Sequence, residues 1–145
     1  MKIRLAIVAL ALASAPALAQ DAGGDAAEGE KVFRQCIACH VVQNDAGELL
    51  AGRAGKTGPN LFGIIGRHAG SVEGFRYSKV MHEAGEAGLV WSEETLVPYL
   101  HDPTAFLRET SGDDKARSNM TLKLRTEQQA KDVYAYLASL MPAAN

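Results

Sequence analysis

Five consecutive residues, Cys36-Ile37-Ala38-Cys39-His40, constrain this chain more than any other feature. On a helix, residues three and four apart stand on the same side, so two thiols and an imidazole can face one way. Two thioether bonds could then fix a flat macrocycle while the imidazole reaches its iron from that same side. Cys-x-x-Cys-His is the spacing of c-type haem attachment. The rival readings explain less. A thioredoxin-like dithiol wants a βαβ context, which the sequence lacks. Structural zinc needs four ligands, and no second Cys or His pair stands at matching spacing. A plain disulfide suits an oxidising compartment but gives His40 no role.

The chain has 145 residues, the length of one domain, and its first nineteen read as a leader. Lys2 and Arg4 precede an apolar run from Leu5 that ends in Ala17-Leu18-Ala19, the small-x-small pattern of signal peptidase. Cleavage there leaves residues 20–145 as a single domain in the periplasm, where bacteria attach haem covalently. The run is short and alanine-rich beside the roughly 20 strongly apolar residues of a span, so no stable membrane insertion is expected. The full chain has 15 Lys and Arg against 17 Asp and Glu; without Lys2 and Arg4 the balance is 13 against 17, net −4. No basic stripe remains to neutralise phosphates, which excludes nucleic acid as a partner.

The expected fold class is all-α, several helices strung on long loops. Asp25 caps the first helix with Glu28 in the reciprocal position, and Gly29, Val32, Phe33, Cys36 and His40 recur at helical spacing. That helix is therefore expected to carry the motif itself. From Val41 to Arg67, glycines at 47, 52, 55, 58, 63 and 66 mark a loop. A short helix follows Tyr77 and is expected to end at Gly85 and Gly88. Ser92 caps another, with Leu96, Val97 and Leu100 on its apolar side; Pro98 should kink it or end it early. Asp102-Pro103 restarts a helix. Thr126 and Gln129 open the last one, whose face is Ala130, Val133, Leu137 and Leu140, with Pro142 as its stop. No strand-like alternation is visible. Long loops in so small a domain point to a large buried ligand.

A haem iron takes a second axial ligand or keeps an open site, and histidine, methionine, cysteine and tyrosine are the usual choices. His68, His82 and His101 sit beside charged residues and read as solvated. Met81 and Met141 read as helix packing. Met120 lies in the polar loop "GDDKARSNMTLKLR", with no helix to pack from. Chemistry allows it a ligand role; spacing does not assign one.

Taken together, "GDAAEGEKVFRQCIACH", "KTGPNLFGIIGR", "GFRYSK", "WSEETLVPYLHDP", "NMTLKL" and "DVYAYL" resemble the landmarks of class I c-type cytochromes in the family's order. The long bacterial cytochrome c2 type is the nearest likeness. Relative to mitochondrial cytochrome c, there is extra sequence between His40 and Pro59, Tyr77 and Trp91, and Pro103 and Met120. The resemblance implies the small cytochrome c fold around one covalently bound haem c. It implies Cys36 and Cys39 as thioether anchors, His40 as proximal ligand, and Pro59 as acceptor of the imidazole N–H. Met120 is implied as distal ligand, and Arg67, Tyr77 and Trp91 as donors to the haem carboxylates. Tyr99 is placed beside the distal sulfur and Ser118 where the family often has threonine. Gly29, Phe33 and Tyr136 resemble the contact of the first and last helices.

The implied function is a monomeric periplasmic electron carrier, not an enzyme. A cytochrome bc-type complex would reduce it and a photosynthetic reaction centre or terminal oxidase would oxidise it. Lys56, Lys115, Arg117, Lys123 and Arg125 resemble a basic rim for docking. A small haem peroxidase would instead require Met120 off the iron. A fixed relay module would require an uncleaved leader.

Overall fold

Side-chain caps set the helix starts in this chain, and the computed structural model, which describes residues 23–141, has helices at all five expected places. Helix α1 (Ala26–Phe33) begins where the Asp25 carboxylate accepts the N–H groups of Ala27 and Glu28 at 2.7 and 3.1 Å. The reciprocal partner is not Glu28, which pairs with Lys31 at 2.6 Å. Asp132, 107 residues away, takes the Asp25 N–H at 2.8 Å. The leader, Gln20 and Pro142 lie outside the described residues.

Contrary to expectation, α1 stops before the cysteines, and the motif sits in tight turns. Cys36 N–H donates to the Phe33 carbonyl at 2.8 Å, Cys39 to Cys36 at 3.0 Å, and His40 to Cys36 at 2.9 Å. Gln35, Cys36 and Cys39 thus reach back three residues rather than the four of an α-helix, and the carbonyls on either side of His40 are taken by a later loop. Gly58 N–H takes the Cys39 carbonyl at 2.8 Å, and Leu61 N–H takes that of Val41 at 2.9 Å.

A second departure is a small antiparallel hairpin, β1 (Val42–Gln43) and β2 (Leu49–Ala51). Val42 pairs with Ala51 and Gln43 with Leu49, across a bulge. Asn60 pins it, accepting from Gln43 N–H at 3.0 Å and donating to its carbonyl at 2.7 Å. The fold is thus helical with one small sheet. The hairpin fills the extra sequence between His40 and Pro59.

Helix α2 (Lys79–Glu86) ends between Gly85 and Gly88 as expected, with Ala87 as its C-cap and Gly88 next at φ 99°. A Cβ at Gly85 would lie 1.9 Å from the Ala69 carbonyl oxygen, so this glycine serves close approach. Helix α3 (Glu93–His101) continues past Pro98. The proline is exposed, and so is Glu94, whose carbonyl is the one left without its helical donor. Helix α4 (Pro103–Ser111) starts at Asp102, whose Oδ1 accepts from Ala105 N–H at 3.0 Å. Gly112 ends it at φ 68°, in the left-handed region that glycine adopts freely.

In α5 (Glu127–Ser139), Thr126 accepts from Gln129 N–H at 3.2 Å. Its Ala130, Val133 and Leu137 are buried and Leu140 is partly so. Helices α1 and α5 cross at Gly29, where a Cβ would come within 1.9 Å of the Asp132 carbonyl oxygen. Beside it the Phe33 and Tyr136 rings stand 5.4 Å apart. Helix α3 packs on both α4 and α5, completing the frame on which the long loops hang.

Candidate functional site

The motif turns, residues 57–67, α2, α3, α5 and residues 118–122 all contribute side chains to one open cleft of about 270 Å³. Its walls are largely apolar, including Leu61, Ile64, Leu96, Leu100 and Leu137. All nine residues singled out above line it: Cys36, Cys39 and His40 with Pro59; Met120 with Tyr99; and Arg67, Tyr77 and Trp91.

On the motif side, Cys36 is buried and Cys39 half-buried, with no disulfide between them. Burial, with Cys39 nearby, pushes the Cys36 thiol up to about 11. His40 Nδ1 lies 2.9 Å from the Pro59 carbonyl. A carbonyl only accepts, so Nδ1 carries the proton and Nε2 keeps its lone pair. Burial lowers the imidazole's pKa, against an opposing pull from Pro59, which favours the neutral form that binds metals. Sequence reasoning missed Gly58, where a Cβ would fall 2.3 Å from His40 Cε1. The only signal available for it was its place before Pro59.

Across the cleft, Met120 is half-buried against the core. Its N–H donates to Ser118 Oγ at 3.0 Å, and Ser118 N–H donates to Thr104 Oγ1 at 3.2 Å. The Tyr99 hydroxyl lies 3.2 Å from the same Ser118 Oγ. Burial raises the Tyr99 pKa, countered by Ser118. Thus α3 and α4 both hold the polar loop so that its one soft sulfur meets the apolar space.

At another edge, Trp91 N–H donates to the Arg67 carbonyl at 2.9 Å and Gly66 N–H to that of Trp91 at 2.8 Å. This pairing sets the two side chains together. Arg67 Nη1 and Nη2 donate to the carbonyls of Phe62 and Asn60 at 2.8 and 3.0 Å. A guanidinium has five N–H donors, so others remain for a ligand. Burial draws the Arg67 pKa down against Tyr77, and burial raises that of Tyr77.

Met81, read as packing, is buried and also lines the cleft. His68, His82 and His101 are exposed as expected, with His68 at the cleft edge. His101 is not merely solvated, since its Nδ1 donates to the Leu124 carbonyl at 2.9 Å.

This donor set fits an iron macrocycle. It offers two thiols, a neutral imidazole, a thioether, apolar walls and polar donors at one edge. Among the described residues, no group of three or more His, Cys, Asp or Glu gathers to hold a bare metal ion.

No family model matches the chain. Individual relatives do. Cytochrome c2 of Rhodovulum adriaticum is 63% identical over 120 residues, 83% of this chain and 95% of that one. Cytochrome c2 of Cereibacter sphaeroides is 51% identical over 128 residues, 88% of this chain and 87% of that one. The solved structure of cytochrome c2 from Rhodobacter sphaeroides superposes with a TM-score of 0.78 at 50% identity, covering 80% of this chain and 95% of that one. Ferric cytochrome c-550 from Paracoccus versutus gives 0.76 at 47%, covering 82% and 99%. The chain therefore belongs to the cytochrome c2 family of class I c-type cytochromes, electron-transfer proteins rather than enzymes, with one covalently attached haem c.

Proposed function

We propose that this chain is a monomeric periplasmic carrier, moving single electrons from a cytochrome bc-type complex to a photosynthetic reaction centre or a terminal oxidase. In this reading residues 1–19 are removed and residues 20–145 work as one domain. The observation that carries it is the cleft with Cys36, Cys39 and His40 on one wall and Met120 on the other.

Bound haem supplies a one-electron couple, and histidine–methionine ligation raises its reduction potential. The chain's own residues do the rest. Cys36 and Cys39 anchor the group, and the Pro59 carbonyl fixes the tautomer and orientation of His40. Met120, on a loop steadied through Ser118 by Tyr99, would hold the group from the other wall of the cleft and keep oxygen or peroxide from the iron. Arg67, Tyr77 and Trp91 receive the haem carboxylates, because a half-buried carboxylate needs donors or a positive partner.

Docking is electrostatic in this proposal. Lys56, Lys115, Arg117 and Arg125 are exposed. Lys123 is matched by Asp102 at 2.6 Å, so it adds less to the rim than its sequence position implies. Association with the partner complexes should slow steeply as ionic strength rises.

The test is Met120→Ala. The haem should stay attached through Cys36 and Cys39 while its potential falls and the iron opens to added ligands. Unchanged potential and unchanged ligand binding would show that Met120 is not on the iron.

A further inference from the structure

We infer that Asp102 and Lys123 form an ionic clasp that holds residues 118–124 against the cleft, making both of them positioning residues for the Met120 thioether. The inference rests on the reading of Met120 as distal ligand.

Asp102 stands at the junction of α3 and α4, in extended backbone. Its two oxygens do different work. Oδ1 caps α4 at Ala105 N–H, and Oδ2 accepts from Lys123 Nζ at 2.6 Å. The next residue is the fixed end of the strap. Leu124 is buried; its N–H donates to the Leu100 carbonyl at 2.9 Å, and its carbonyl accepts from His101 Nδ1 at 2.9 Å. At the other end Ser118 is held by Thr104 and Tyr99.

Among the described residues, the other ion pairs each lie inside one helix: Glu28–Lys31, Lys79–Glu83, His82–Glu86 and Glu127–Lys131. Asp102–Lys123 alone joins separate segments, 21 residues apart, and it does so three residues from Met120. Exposed ion pairs contribute little to global stability. Opening of one strap is a local event with its own small free energy, and a weak pair can shift that equilibrium severalfold.

The test uses ferric holoprotein and the rate at which imidazole binds the iron, since imidazole enters only when the thioether leaves. Asp102→Asn keeps the helix cap and removes the charge. Lys123→Gln removes the other partner, and Lys123→Arg restores the charge. Lys31→Gln breaks an exposed pair within α1 and serves as control.

Asp102→Asn and Lys123→Gln should each bind imidazole about two- to fivefold faster, and the double variant no faster than either. Lys123→Arg and Lys31→Gln should match the parent. High salt should speed the parent toward the variants. Parent-like rates in both variants, or effects that multiply in the double, overturn the clasp. So does a melting temperature that falls as fast as imidazole entry rises, which would mark a global effect. The reading beneath it fails separately: the parent would then lack the weak methionine–iron band, and Met120→Ala would leave imidazole binding unchanged.

Discussion

Gly58→Ala puts the construction of the motif side to a quantitative test. The added Cβ would lie 2.3, 2.6 and 2.7 Å from His40 Cε1, Nδ1 and Nε2, whereas ordinary contact begins at 3.4 Å. Something must move by about 1 Å, and the imidazole is not a floppy neighbour. It is half-buried and bonded to the Pro59 carbonyl at 2.9 Å, the residue directly after the substitution. Withdrawing residues 58–59 by that distance carries this bond out of range and strains the 2.8 Å bond from Gly58 N–H to Cys39. Overpacking costs about 1–3 kcal/mol and each lost hydrogen bond about 1 kcal/mol, so the loss should be about 3 kcal/mol. That is about 10 °C in the melting temperature of a domain this size. Gly63→Ala is the comparison: it has φ 69° with nothing within 4 Å of its Cβ, so it should lose only the left-handed backbone preference, about 1 kcal/mol. Denaturant unfolding of both holoproteins decides the matter. Equal destabilisation of the two variants would refute the steric argument.

Gly85→Ala should melt at least as early as Gly58→Ala, because its Cβ meets the Ala69 backbone at 1.9 Å and α2 would have to lift away. Asp132→Ala should cost about 1–3 kcal/mol in urea unfolding by stranding the Asp25 N–H; Asp132→Asn, which keeps an acceptor, should cost less. Asp102 predicts a pH effect of definite sign. Hydrogen bonds from Lys123 and then Ala105 lower its pKa, so its stabilisation is present above the unfolded carboxyl pKa of about 3.9 and fades as pH falls through the lower folded value. The stability gap between parent and Asp102→Asn should therefore close in strong acid, as followed by circular dichroism; a gap that widened there would contradict the pairing.

What the sequence made legible was local. Asp25, Ser92, Asp102 and Thr126 each precede a helix, because a capping residue announces itself within a turn of the backbone it serves. Cys36, Cys39 and His40 were visible for the same reason. What escaped was decided by distant contacts. The close approach of Gly85 to the Ala69 carbonyl is one such contact. Asp132 showed no sign of taking the Asp25 N–H. The hairpin has strands of two and three residues, too short to display alternation. The motif looked helical because its spacing is helical, yet the N–H groups of Gln35, Cys36 and Cys39 close three-residue turns instead. Bringing Arg67, Tyr77, Trp91, Tyr99 and Met120 to one cleft was legible only through family resemblance.

The central claim is that this cleft carries one haem, bonded to Cys36 and Cys39, with His40 and Met120 on its iron. Optical redox titration of the purified holoprotein, followed by acid–acetone extraction, tests it most directly. The expected result is a low-spin spectrum with a weak methionine–iron band in the ferric form, a high potential, and haem that stays with the chain. A high-spin or bis-histidine spectrum, or haem that leaves with the solvent, would contradict it.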